Sequence, residues 1–183
     1  MRFYQVDKVT ELCPGKYVEG VKCVSLDNDV FDQHFPGCPI YPGTLLIEGM
    51  AQLSGMFLEW SRQEMGCKPR RAVLTLVEKF KFRDMAVPGD RLVYRADVKC
   101  LYPDEYGAVK VKALRDGRVC ATGELLFTFL VSLSGDIKMQ THRAEITWRN
   151  GGGCPQAKER GLRENQTCWH FDLGVPASRT VGQ

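Results

Sequence analysis

The chain has 183 residues, 44% hydrophobic and 26% charged, with a formal net charge of +3. Such a length supports one domain with a real core, or one domain with a tail. So small a net charge gives no composition-based case for nucleic-acid binding.

In chain order, residues 3–12 suggest a strand, stopped by Pro14-Gly15. Residues 17–26 (YVEGVKCVSL) form a second strand, followed by a loop over 27–43. A helix is expected from about Thr44 to about Arg62. It is apolar nearly all round, through Leu45, Leu46, Ile47, Met50, Ala51, Leu53, Met56, Phe57, Leu58 and Trp60, which reads as a buried helix. Gly49 and Gly55 each weaken it by roughly 1 kcal/mol relative to Ala but permit close backbone approach.

After the polar residues Cys67 to Arg71 the period changes to two. AVLTLVEKFKFRD reads as a strand with Phe80 and Phe82 on one face and Lys79, Lys81 and Arg83 on the other. VPGD is a turn. RLVYRADVKCL puts Leu92, Tyr94, Ala96, Val98 and Cys100 on one side. VKVKAL and VCATGELLFTFLVSL form a hairpin around Asp116-Gly117. Its last strand shows Val119, Ala121, Leu125, Phe127, Phe129 and Val131 on one face. This layout predicts an α+β domain over residues 1–140, a long antiparallel sheet wrapped around one buried central helix. That architecture is the hot-dog fold.

From about His142 the periodicity stops, and 141–183 is expected to be a poorly ordered or peripherally packed extension. Its Cys154, Cys168, His142 and His170 match no zinc-ligand spacing, so no metal is expected. The eight cysteines are scattered, without CxxC pairs, as buried free thiols of a reducing compartment would be. The start, MRFYQVDKVTELCPGK, lacks an apolar run of signal-peptide length, and no later segment is long and uncharged enough to span a bilayer. The expectation is a soluble, cytoplasmic protein with no membrane or nucleic-acid partner.

The chemistry concentrates in DQHFPGCPIYPGTLLIEGMAQ, Asp32 to Gln52. His34 stands in a loop stiffened by three prolines and two glycines. Glu48, fourteen positions later, interrupts an apolar helical run. An imidazole can accept a proton near neutral pH. Apolar neighbours favour the neutral acid of a Glu, and the helix dipole favours its charge; the sequence does not rank the two. Between them, Pro42-Gly43-Thr44 offers free N–H groups at a helix start, where a developing oxyanion can bind. These are the parts needed to remove an α-proton beside a thioester carbonyl and expel a β-hydroxyl as water. Taken singly, the His also fits a satisfied loop residue and the Glu an electrostatic cap.

The stretch HFPGCPIYPGTLLIEGMAQ resembles the signature of the FabZ-type β-hydroxyacyl-[acyl-carrier-protein] dehydratases. VEKFKFRDMAVPGDRL, Val77 to Leu92, resembles a second segment of that family. The similarity spans roughly residues 4–131. Thr44, where the family usually has Val, and Cys38 depart from its pattern, and the extension is longer than the family needs. The resemblance implies dehydration of (3R)-hydroxyacyl-ACP to trans-2-enoyl-ACP in fatty-acid or related polyketide-type synthesis, with no cofactor. It implies that His34 handles the α-proton, Glu48 protonates or positions the leaving hydroxyl, and the Gly43 N–H holds the thioester carbonyl. Glu at the acid position, where the related FabA-type enzymes have Asp, implies dehydration without isomerisation. In this family one site draws its His and Glu from different subunits, which implies a homodimer and, in larger assemblies, a trimer of dimers. Met50 and Phe82 are candidates for the acyl tunnel. Lys79, Lys81 and Arg83 are candidates for docking the acidic carrier protein. Two other functions suit the same scaffold, a thioesterase on acyl-CoA or acyl-ACP and a non-catalytic acyl-carrier-binding protein.

Overall fold

The alternating apolar pattern of the strands gives the sheet one buried face, and α1 supplies the apolar surface that covers it. The computed structural model describes residues 3–130. Six strands form one antiparallel sheet: β1 (Lys8–Cys13), β2 (Tyr17–Cys23), β3 (Arg71–Phe82), β4 (Arg91–Tyr102), β5 (Tyr106–Arg115) and β6 (Arg118–Leu130). Their order is β1-β2-β4-β5-β6-β3, so β3 forms an edge beside β6. Helix α1 (Gly43–Glu64) packs against the sheet, and a single 3₁₀ turn (Asp29–Asp32) precedes the loop that leads to it.

Local chemistry fixes the turns. Pro14-Gly15 closes the β1–β2 hairpin with Gly15 at φ 70°, and the Lys16 N–H donates to the Cys13 carbonyl at 3.0 Å. Asp116 and Gly117 both have positive φ, as a tight two-residue hairpin needs. Between Ala113 and Leu114 the β5–β6 register shifts, and the adjacent Cys120 and Ala121 are both buried. This bulge turns Val119 outward, so that residue leaves the apolar face expected for it. Val131 and the extension lie outside the described residues.

The helix departs from the sequence expectation in one respect. Its sheet-facing stripe, Leu46, Met50, Leu53, Phe57 and Leu58, is buried. The stripe through Thr44, Glu48, Gln52 and Met56 is not, and Met56 is 43% exposed. One curved sheet covers one side of a helix, and among the described residues the opposite stripe is only partly covered, with Met56 left exposed. In the last turn Arg62 is fully buried. Its Nε donates to the Pro103 carbonyl, and its guanidinium lies 4.7 Å from the Phe129 ring centre. The helix carboxyl end favours a cation there.

Of the cysteines described, Cys13 and Cys120 are buried, Cys67 and Cys100 partly so, and Cys23 and Cys38 exposed; all six are free thiols. The exposed pair corrects the expectation of uniform burial. Cys23 ends its strand and Cys38 sits in a turn, so neither points into the core. Among the described residues, no helix is long and apolar enough to cross a membrane.

The two helix glycines differ in purpose. A Cβ on Gly49 would lie 2.5 Å from the Tyr94 ring and 2.9 Å from the Gln5 carbonyl oxygen. A Cβ on Gly55 would meet Phe127 at 3.5 Å, an ordinary contact. Gly55→Ala should therefore raise stability by up to about 1 kcal/mol through helix propensity. Gly49→Ala should lower it by about 1–3 kcal/mol, because overlap with backbone outweighs propensity. Urea denaturation of the two variants checks the opposite signs.

Candidate active site

The site is built at the point where a rigid loop becomes a helix. Phe31 of the 3₁₀ turn is buried and anchors the loop, and the His34 N–H donates to the Val30 carbonyl at 2.9 Å. Residues 35–38 form a β-turn, with the Cys38 N–H donating to the Phe35 carbonyl at 2.9 Å. Gly37 takes φ 77°, the positive value that a glycine after Pro36 supplies without strain. The His34–Phe35 peptide is cis. Tyr41 then ties the loop to the sheet through its N–H, which donates to the Ala86 carbonyl at 2.7 Å.

This frame fixes the imidazole. His34 Nδ1 lies 2.9 Å from the Ile40 carbonyl oxygen. A carbonyl can only accept, so Nδ1 carries the hydrogen and Nε2 keeps its lone pair. The ring is half-buried and packs against Phe35, with ring centres 4.3 Å apart.

Pro42 caps α1 without a side-chain hydrogen bond. Its carbonyl accepts from Leu45 N–H at 3.0 Å and Leu46 N–H at 3.2 Å. The N–H groups of Gly43 and Thr44 find no acceptor among the described residues, and the first turn contains no acidic residue. The result is a pair of free donors at the positive end of a long helix. The Phe82 ring lies over Gly43, where a Cβ would come within 2.9 Å of it. Phe82 itself is 51% exposed. Met50 is fully buried in the core on the sheet-facing side of α1.

Glu48 lies on the uncovered stripe, half-buried rather than enclosed by apolar neighbours as the linear run suggests. Helical spacing separates it from Leu46 and Met50, which face the sheet. Its Oε1 accepts from Gln52 Nε2 at 2.8 Å. Gln52 is a contact of Glu48 that the sequence reading passed over, although its place four residues later on the same helix face was the available signal. Within one chain, His34 and Glu48 share no hydrogen bond; each is held by its own partner.

The basic residues are exposed, but their strand is irregular. The β3–β6 register shifts between Glu78 and Lys81, and Lys79 has φ 55°. This bulge breaks the regular alternation expected of Lys79, Lys81 and Arg83. Phe80 and Phe82 stay close together, with ring centres 6.4 Å apart, and Phe80 lies over Gly123 of β6. Lys79 lies 3.4 Å from Glu124, which also takes Lys99 at 2.6 Å. Lys81 and Arg83 form no ion pair among the described residues. Behind the site, the Tyr41 hydroxyl donates to Gln5 Oε1 at 2.5 Å, and burial pushes its phenol up to about 12.

Comparison with known proteins places the chain in a family. The family model described as a FabA-like domain matches residues 1–124. A 3-hydroxyacyl-[acyl-carrier-protein] dehydratase FabZ of Campylobacter curvus is 39% identical over 126 residues, covering 67% of this chain and 84% of its own. The FabZ of a Nitratiruptor species is 41% identical over 126 residues, with the same coverage of each chain. Among solved structures, the dehydratase heterocomplex ApeI:P of Xenorhabdus doucetiae superposes with a TM-score of 0.57 at 19% identity, covering 71% of this chain and 85% of that one. A hot-dog-like protein of Thermanaerovibrio acidaminovorans gives 0.53 at 19% identity, covering 71% and 86%. The structural likenesses establish the hot-dog fold, and the sequence matches carry the lineage: the chain belongs to the FabA-like family, among its FabZ-type members.

Proposed function

We infer that this chain is a 3-hydroxyacyl-[acyl-carrier-protein] dehydratase of fatty-acid biosynthesis, a lyase that converts (3R)-hydroxyacyl-ACP to trans-2-enoyl-ACP and water. The family supports the reaction. The observation that carries the residue roles is the bond between His34 Nδ1 and the Ile40 carbonyl, which leaves Nε2 as a base.

In this reading the thioester carbonyl accepts from the Gly43 N–H at the helix start, where charge developing on its oxygen is stabilised. His34 Nε2 takes the proton from C2. The C2–H electron pair becomes the C2–C3 double bond as the C3–O bond breaks. Glu48, in its acid form, gives its proton to the departing oxygen, which leaves as water. The proton gained by His34 must return to Glu48 before the next turnover. No electron is gained or lost, so the chemistry needs no redox cofactor. The acyl chain is assigned to the space beside Phe82; Met50, the other tunnel candidate, is packed in the core of the described chain and presents no open surface to it. Lys79, Lys81 and Arg83 are assigned to the acidic carrier, with Lys81 and Arg83 the stronger candidates because Glu124 already neutralises part of the Lys79 charge.

A homodimer completes the site. Two features support it: the uncovered stripe of α1 that carries Glu48, and exposed apolar residues Val73, Leu76 and Val77 on the edge strand β3. An apolar edge strand is a ready template for pairing with another chain. A trimer of such dimers and a cytoplasmic place of action belong to the same proposal.

The test is the conjugated-enoyl absorbance on mixing pure protein with 3-hydroxyacyl-ACP. Wild type should give the signal, and Glu48→Gln and His34→Ala should each lose at least about 10²-fold in rate with an unchanged thermal melt. Free thiol without enoyl product would instead make the protein a thioesterase. Carrier binding with neither product would make it a binding protein.

A further inference from the structure

The irregular segment Phe3–Asp7 runs across the first turns of α1, and its hydrogen bonds are not those of a loose terminus. Gln5 N–H donates to Gln52 Oε1 at 2.9 Å. The Phe3 carbonyl accepts from Gln52 Nε2 at 2.8 Å. The same Nε2 donates to Glu48 Oε1 at 2.8 Å. The segment is held at three further points. The buried Gln5 side chain accepts from Tyr41, Asp7 N–H donates to the Val21 carbonyl at 2.8 Å, and the Asp7 carboxylate takes Lys22 Nζ at 2.7 Å and Cys23 N–H at 2.6 Å.

A carboxamide can present either its oxygen or its NH₂ to a neighbour, and rotation by a half-turn exchanges them. Facing Glu48 Oε1, which accepts both in the carboxylate and in an acid protonated on Oε2, only the NH₂ is useful. Here a backbone donor meets Oε1 and a backbone acceptor meets Nε2. Either contact alone biases the rotation, and the two together fix it. Gly49 allows this approach, since a Cβ there would stand 2.9 Å from the Gln5 carbonyl oxygen. With Nε2 turned toward it, Oε1 of Glu48 is occupied, and Oε2 receives no hydrogen bond among the described residues.

We propose that the segment Phe3–Asp7 is a positioning element of the active site, whose Gln5 N–H and Phe3 carbonyl lock the Gln52 carboxamide so that it orients Glu48. Gln5 and Gln52 are positioning residues in this account. The proposal rests on the reading of Glu48 as the catalytic acid.

Gln5→Pro removes the N–H that meets Gln52. Gln5→Ala keeps that N–H and loses only the side-chain bond to Tyr41. Both are assayed with 3-hydroxyacyl-ACP, alone and combined with Gln52→Ala. The expected result for Gln5→Pro is a fall in kcat on the order of tenfold, as a displaced catalytic group gives, with KM within about twofold. Gln5→Ala should retain most of the wild-type kcat. In the Gln52→Ala background, Gln5→Pro should cause no further loss, because the two act through one contact. An equal loss in both backgrounds, an equal loss from Pro and Ala, or no loss from Pro would overturn the proposal. If Gln5→Pro does not fold, a chain lacking residues 1–5 is compared in the same two backgrounds, with the same expectation of loss only where Gln52 is present. Glu48→Gln in the same assay separates the two claims. Full activity there removes the parent reading, whereas its loss beside an active Gln5→Pro removes only the positioning role.

Discussion

The arrangement depends on where α1 begins. Proline has no N–H and cannot continue the hydrogen-bond ladder backwards, so a helix starting after Pro42 leaves its first N–H groups pointing into the loop. The loop is held against that end by the Tyr41 N–H to the Ala86 carbonyl and by the buried Phe31. A helix register shifted by one residue would turn Glu48 by about 100° toward the sheet and remove Gly43 from beneath Phe82. The sheet-facing Leu46, Met50, Leu53 and Phe57 prevent that shift, because it would move all four out of the core. Core packing thus sets the angular position of a residue that is not itself in the core.

The same helix serves two surfaces. One stripe satisfies the sheet, and the other presents Glu48, Gln52 and Met56. An isolated chain holds the two candidate groups on separate supports, His34 by Ile40 and Glu48 by Gln52. That separation suits a pair brought together by assembly. It also explains why a largely apolar helix can carry a carboxylate without burying an unpaired charge.

Much of this was legible in the sequence because it is written in short-range patterns. The alternation in RLVYRADV placed Leu92, Tyr94 and Ala96 correctly, and Asp116-Gly117 marked its hairpin. The HFPG-to-Glu stretch singled out His34 and Glu48 as the candidate catalytic groups. What was missed depends on register or on long-range contact. Val119 left its expected face because a bulge at Cys120 shifts the parity of the strand, and no local residue signals it. Lys79 meets Glu124 across forty-five positions. Gln52 was visible only as the end of a motif, because its partners Gln5 and Phe3 lie forty-seven and forty-nine residues away. The helix was expected to be buried on every side, since a linear run of apolar neighbours does not reveal that a single sheet covers only one side of it.

The claim on which the account turns is that one working site takes His34 from one copy and Glu48 from another. It can be tested by co-expressing His34→Ala and Glu48→Gln chains, each inactive alone, and assaying the purified mixed dimers. In a mixed dimer one of the two shared sites has both groups intact, so the purified mixed dimers should show about half of the wild-type activity, and the unfractionated product of random pairing about a quarter. Mixed dimers that form, as shown by differently tagged chains purifying together, and yet stay as inactive as either parent would contradict it.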